Sequence, residues 1–267
     1  MRVARTIGDL RAALEPATVG LVPTMGAFHA GHLALFEAAR EECETVVVSL
    51  FVNPAQFDSG LDLDRYPRDE KRDVELAEEA GVDVLFTPSV GEMYPRGYQT
   101  WIDVEELSRP LEGAFRPGHF RGVATICCKL FNLVRPRFAY FGQKDAQQVA
   151  VVRRMARDLN LDVEIRVLPT VRDVDGLAVS SRNVLLSPAE REAAAALPRA
   201  LATGDPEQAR ALLDGLELDY LEVADFEPRV LAAAVRVGGT RLIDNVPLDV
   251  PFQASAWLGH SSKGERE

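Results

Sequence analysis

Residues 18–43 read TVGLVPTMGAFHAGHLALFEAAREEC, and this stretch decides the fold class. Thr18–Thr24 is an apolar run of strand length, and His32–Cys43 carries Leu33, Phe36 and Ala39 at helical spacing. Between them Pro23–His32 (PTMGAFHAGH) joins a strand end to a helix start. Gly26 and Gly31 let backbone approach a ligand, and a helix N-terminus offers unpaired N–H groups with partial positive charge. Strand, glycine-bearing turn and helix in that order make a seat for phosphate.

The same grammar repeats downstream. Glu44–Asn53 (ETVVVSLFVN) is nearly all apolar, as a parallel strand covered on both faces would be. Helix 69–80, ended by Gly81, leads to strand 82–87 and a shorter extended piece at 100–104. Helix 123–134, strand 137–141, helix 146–160 and strand 161–169 follow. Repeated β-α alternation predicts an α/β fold with a doubly wound, mostly parallel, Rossmann-like sheet that binds ligands at the carboxyl ends of its strands. After about Thr170 the pattern changes to a turn at 173–176, helices at 189–201 and 206–214, and strands at 218–226 and 233–242. Residues 1–170 are expected to form the main domain and 171–267 a smaller α+β domain with a polar, frayed tail at Ser261–Glu267.

Composition narrows the function. The chain has 267 residues, 47% hydrophobic and 27% charged, and no run approaches the ~20 apolar residues of a membrane helix. The N-terminal MRVARTIGDL has no apolar core of a secretory signal, and three cysteines, Cys43, Cys127 and Cys128, cannot build a disulfide framework. A cytoplasmic protein with reduced, mostly packed thiols is expected. A formal charge of −11 without a basic tract argues against nucleic acid and acidic membranes as partners.

Taken singly, the polar residues leave choices open. His29 and His32 fit donors to a phosphate, helix-start residues, or two metal ligands in search of a third. Lys144–Asp145 at a strand end fits a ligand contact or an exposed ion pair, and the SSRN turn at 180–183 fits a phosphate clamp or a hydrophilic loop. Gln56 and Gln148 can donate and accept without adding charge, or can simply be solvated. Neither GxGxxG nor GxxxxGK[ST] occurs, so dinucleotide and P-loop readings fail.

The order of motifs is more specific. PTMGAFHAGH is followed by FVNPAQF (51–57), RYPR (65–68), LEGAFRPGHFRGV (111–123), FGQKDAQQ (141–148) and LPTVRDVDGLAVSSRN (168–183). Together these resemble the pantothenate synthetases, or pantoate–β-alanine ligases, within the HxGH nucleotidyltransferase superfamily. The resemblance implies a two-step reaction. Pantoate carboxylate attacks the α-phosphorus of ATP, releasing pyrophosphate and giving pantoyl adenylate; β-alanine then attacks the acyl carbon and AMP leaves. A carboxylate is ionised at pH 7, so the first step calls for positioning and charge neutralisation rather than a base, and no Ser-His-Asp arrangement is evident.

By the same resemblance His32, His29, Lys144 and Arg182 carry the chemistry, with His32 as proton donor or acid-base group. ATP falls to Met25, Gly26, Ala27, Phe28, His29, Ala30, Gly31 and His32, to Gly142, Gln143, Lys144 and Asp145, and to Val171, Val179, Ser180, Ser181 and Arg182. Pantoate falls to Pro23, Met25, Gln56, Phe57 and Gln148, and β-alanine to Gln56. His119 is a further candidate for the phosphates. Mg2+ is expected on the phosphate oxygens rather than in a protein cage, closure of the C-terminal domain is expected to exclude water, and a homodimer is expected. The chain departs from the family pattern at Gln143, where Glu is usual, at Ala146, where an aromatic is common, and at Val179, where Met is usual. The alternatives are another nucleotidyltransferase of the superfamily, a catalytically silent ATP-binding module, and a zinc hydrolase using His29, His32 and His119.

Overall fold

The computed structural model describes residues 1–57, 63–64 and 66–249. The main sheet contains β1 (Arg2–Ala4), β2 (Val19–Thr24), β3 (Thr45–Leu50), β4 (Val84–Phe86), β5 (Phe138–Gly142) and β6 (Glu164–Leu168), in the spatial order β1-β4-β3-β2-β5-β6. Every pairing in it is parallel. Alternating side chains of its central strands serve two cores. Leu21 and Val47 belong to one, while Val22, Val46 and Val48 belong to the other, which is why Val46, Val47 and Val48 of β3 are apolar in succession. Helices α1 (Ile7–Ala13), α2 (Ala30–Glu42), α3 (Glu70–Glu79), α4 (His119–Val134) and α5 (Ala146–Asp158) cover the sheet. Leu10 of α1, Leu130 and Phe131 of α4, and Val152 and Met155 of α5 fill the first core; Leu35, Phe36 and Ala39 of α2 and Ala77 of α3 fill the second.

From β2 the sheet grows outward to β3 and β4 on one side and to β5 and β6 on the other. The order therefore reverses between β2 and β5. A crevice opens at such a switch point, beyond the carboxyl ends of the two strands, and here it lies between the segments after Thr24 and Gly142.

The second unit holds α6 (Pro188–Ala194), α7 (Ala196–Leu201), α8 (Pro206–Leu212) and an antiparallel meander of β7 (Glu217–Ala224), β8 (Val230–Val237) and β9 (Thr240–Pro247). One face of β8 (Leu231, Ala233, Val235) packs on Leu197, Leu201 and Ala209 of the helices. The other (Val230, Ala232, Ala234) packs on Leu111 and Ala146 of the main unit. Ala146, where an aromatic is common, thus lies beneath the second sheet.

Several expectations change. The expected helix at 32–43 starts at Ala30, and that at 123–134 starts at His119. No strand forms at 100–104, where Ile102 donates its N–H to the Thr125 hydroxyl at 3.0 Å and Trp101 stacks on Tyr94. The single helix expected at 189–201 is two, because Pro198 has no N–H to carry the ladder through Ala195. The strand expected at 233–242 is a hairpin that turns at Gly238–Gly239, with Gly238 at φ +57°. Strand β1 and helix α1 were not foreseen. Cys43 and Cys127 are buried, Cys128 is half-buried, and all three are free thiols. The tail at 261–267 lies outside the described residues.

Candidate active site

The cleft at the switch point has a volume of about 240 Å3; cavities of about 20 and 40 Å3 beside it have room only for water. Pro23, Met25, His29, Gly31 and His32 line it from β2 and the start of α2. Gly142, Lys144, Asp145 and Gln148 line it from the end of β5, the 3-10 turn Gln143–Asp145 and α5, and Val171, Val179, Ser180, Ser181 and Arg182 from the edge of the second unit. Gln56, Phe57, Tyr66, Arg116 and His119 complete the wall. Gly26, Ala27, Phe28, Ala30 and Gln143, also expected at the nucleotide, are not part of this lining.

The reason lies in how the loop is held. The carboxylate of Asp73, buried in α3, accepts the N–H groups of Ala27 at 2.8 Å and Phe28 at 2.7 Å. Gly26 adopts φ +86°, and a Cβ there would stand 2.8 Å from the Asp73 Oδ2, so glycine is needed for conformation and for space. Phe28 turns inward and meets Phe36 edge-on. Asp73 was missed because DEKRD at 69–73 reads as a solvated helix start.

His29 caps α2, its Nδ1 accepting the Gly31 N–H at 3.2 Å. The neutral ring therefore carries its proton on Nε2. Its ring stacks on His32 with centroids 4.1 Å apart. Burial, helped by the Lys144 charge, lowers the His29 pKa to about 4, and burial next to His29 lowers that of His32 to about 3. Both are neutral hydrogen-bonding groups at pH 7. The Nδ1 of His32 is buried with no hydrogen-bond partner among the described residues, a costly arrangement characteristic of functional positions. Lys144 Nζ stands 3.4 Å from Asp145 Oδ1. Desolvation would raise the Asp145 pKa, but Lys144 and Arg182 hold it down, so this carboxylate is ionised.

Gln56 is buried and its amide is oriented. Asn53 donates Nδ2 to the Gln56 Oε1 at 3.0 Å and is itself fixed by the Tyr94 hydroxyl at 2.9 Å, which leaves the Gln56 NH2 as the group available to a ligand. His119 Nδ1 meets the Gln56 carbonyl at 2.8 Å, so this ring braces the glutamine turn. Phe57 packs edge-on against Tyr66, and Tyr66 and Ser181 line the same cleft. Asn53 and Tyr66 lie inside quoted motifs, yet no role could be read for them without the fold.

At the departures, Gln143 uses its amide to donate to Asn245 Oδ1 at 3.0 Å, and Val179 lines the cleft while its N–H bonds the Val171 carbonyl at 2.9 Å. Among the described residues no group of three His, Cys, Asp or Glu side chains is placed to hold a metal ion. No helix of the described residues is long and apolar enough to cross a membrane.

Residues 2–247 match the family model for pantoate-beta-alanine ligase. A pantothenate synthetase of Heliobacterium modesticaldum is 51% identical over 94% of this chain and 100% of its own length. The crystal structure of a pantothenate synthetase from Thermus thermophilus superposes with a TM-score of 0.89 at 48% identity, covering 93% of this chain and 99% of that one. A pantoate-beta-alanine ligase from Francisella tularensis, solved in complex with beta-gamma ATP and beta-alanine, superposes at 0.84 with 33% identity, covering 94% and 99%. With its parallel sheet, switch-point cleft and match to the family model across nearly its whole length, the chain belongs to the pantoate–β-alanine ligase family.

Proposed function

We infer that the chain joins pantoate to β-alanine at the expense of ATP, through a pantoyl adenylate, and that the cleft between β2 and β5 is where it does so. The observation that carries the assignment is convergence: His29 and His32, Lys144, and Ser180–Arg182 face one cleft from three segments, with Gln56 and Gln148 in the same lining.

The chemistry suits these groups. In the first step a pantoate carboxylate oxygen bonds to the α-phosphorus and the bond to pyrophosphate breaks. Charge shifts toward the leaving phosphates, where Lys144, Arg182, the serine hydroxyls and the imidazole N–H groups would meet it. Neutral imidazoles donate without forming a cation cluster beside Lys144. In the second step the β-alanine nitrogen bonds to the acyl carbon, the bond to AMP oxygen breaks, and the nitrogen gives up a proton. His32 is the candidate to handle that proton, since bound phosphate charge raises the basicity of a ring held low by burial. Gln56 and Gln148 would hold pantoate by its carboxylate and hydroxyls, with Pro23, Met25 and Phe57 against its methyls; Gln56 would also face β-alanine. Residues 1–170 would bind both substrates of the first step and residues 171–267 would act as the lid, with Val171 and Val179 at the nucleotide.

The donor set fits magnesium riding on ATP: the phosphate side of the cleft offers nitrogens and hydroxyls, with Asp145 the carboxylate among them. The ion would neutralise phosphate charge, held by phosphate oxygens and water. A homodimer remains part of this proposal, to be checked by light scattering.

The test is pyrophosphate and AMP release from ATP and magnesium with pantoate and β-alanine added separately and together. Pyrophosphate with pantoate alone, and pantothenate only with both, is the expected result. ATP binding without acid-dependent pyrophosphate would reduce the protein to a binding module.

A further inference from the structure

Asn245 lies in the middle of β9, in the second unit, and is 3% exposed. Its side chain is spent entirely on the main unit. Nδ2 donates to the carbonyls of Gln143 at 2.9 Å and Lys144 at 2.8 Å, and Oδ1 accepts from Gln143 Nε2 at 3.0 Å. The three bonds grip the single 3-10 turn Gln143–Asp145 that carries Lys144. The Asn245 N–H in turn donates to Asp244 Oδ1 at 2.8 Å, and Asp244 takes both prongs of Arg172 at 2.7 and 3.1 Å. Arg172 pairs with Ala178 in an isolated bridge, and the Ala178 carbonyl accepts from Asn183 at 3.0 Å, within the turn that begins at Ser181. A part-buried network therefore links the Lys144 backbone to the serine-arginine turn: hydrogen bonds reach Arg172 through two adjacent residues of β9, and the Arg172–Ala178 bridge, held by the Val179 N–H on the Val171 carbonyl and the Asp173 N–H on the Leu177 carbonyl, carries it on to Asn183.

We propose that Asn245 is a positioning residue for ATP: it sets the Lys144 turn against the second unit, so that the two phosphate-facing segments of the cleft are held in one register. A lysine ammonium at the end of a four-carbon stem is aimed only as well as its backbone is fixed. Asn suits the position, since one amide can donate to two carbonyls and still accept from a third group. The proposal rests on the reading that Lys144 meets the phosphates.

The test is a double-mutant cycle on the full chain, read as kcat/KM for ATP in pantoate-dependent pyrophosphate release. Asn245→Ala and Lys144→Ala should each lower it by about tenfold or more, with the double variant within about threefold of Lys144→Ala alone, because removing the brace costs little once the braced group is gone. The KM for pantoate, whose candidate contacts lie elsewhere, should move by less than about twofold in Asn245→Ala. Losses that multiply, or equal effects on both substrates, overturn the proposal in favour of a general structural role. Undiminished release by Lys144→Ala overturns instead the assignment of Lys144. If Asn245→Ala does not fold, the cycle is run with Gln143→Ala, which cuts the same junction from a half-buried site; a loss of at least about threefold that vanishes in the Lys144→Ala background is expected, and a smaller one overturns the proposal.

Discussion

Asp73 accepts the backbone N–H of Phe28 at 2.7 Å, across 45 residues of sequence, and so ties helix α3 to the loop between β2 and α2. Its second oxygen takes Ala27 at 2.8 Å. Both lone-pair sets are needed, which an amide cannot supply. Asp73→Asn should leave one N–H facing an NH2 group, costing about 1–3 kcal/mol. The expected result is a lower urea midpoint and a rise in KM for ATP of about tenfold, with Gly26→Ala giving the same phenotype through loss of the positive-φ turn. An unchanged KM for ATP in both variants would show that the loop keeps its shape without the brace.

The histidines give a signed pH dependence. In the folded chain burial holds His29 and His119 at about 4 and His32 at about 3. An unfolded chain titrates near 6.5. Between about pH 6.5 and 4 the unfolded state therefore binds more protons, so this part of the stability is complete above pH 6.5 and is lost as the pH falls toward 4. Asp73, raised by burial, is protonated more readily in the folded state and opposes the trend in its acidic part. Urea midpoints measured across this window should fall with pH, and His119→Asn should flatten the slope by about one proton.

Glu112 and Arg241 join the two units in a buried pair, with contacts of 2.7 and 2.8 Å; the Tyr220 hydroxyl donates to Glu112 Oε1 at 3.0 Å and Arg241 Nε donates to Asp219 at 2.6 Å. Removing Glu112 leaves two nitrogens of the buried Arg241 guanidinium facing no carboxylate, with Asp219 still on Nε, at a cost of up to about 3–5 kcal/mol, whereas replacing both partners costs less. Glu112→Ala should lower stability by that order in chemical denaturation, and Glu112→Leu combined with Arg241→Met should recover most of it. Equal losses in the single and double variants would contradict this account.

Much of the main unit was legible because its signals are local. β3 is an apolar run of strand length, and glycine, histidine and helix spacing mark the start of α2. The misses have physical causes. β1 is three residues long and owes its existence to pairing with β4, which no local window contains. The Gly238–Gly239 turn was hidden because apolar residues on both sides read as one strand. In the site, the residues that line the cleft sit in recognisable motifs, whereas Asp73, Asn53 and Asn245 act on backbone or amides brought close only by the fold. A buried polar residue that serves another residue leaves no periodic trace.

The orientation of Gln56 yields the sharpest substrate prediction. Asn53 Nδ2 occupies the Gln56 Oε1, and Asn53 is fixed in turn by Tyr94 and by the Gly122 carbonyl at 3.1 Å. Gln56 must then present N–H donors to the cleft. Gln56→Glu keeps the shape and the Asn53 bond but turns an acceptor and a negative charge toward the acid substrate. Repulsion in a partly desolvated cleft should raise the KM for pantoate by at least about tenfold, while Gln56→Ala, which only removes the donor, should cost less. ATP binding without acid should stay within about twofold in both. Titration of ATP by calorimetry alongside initial-rate measurements over pantoate concentration separates the two effects. A Glu variant that binds pantoate as well as the parent would mean that the Asn53–Gln56 amides are reversed, with Oε1 facing the substrate.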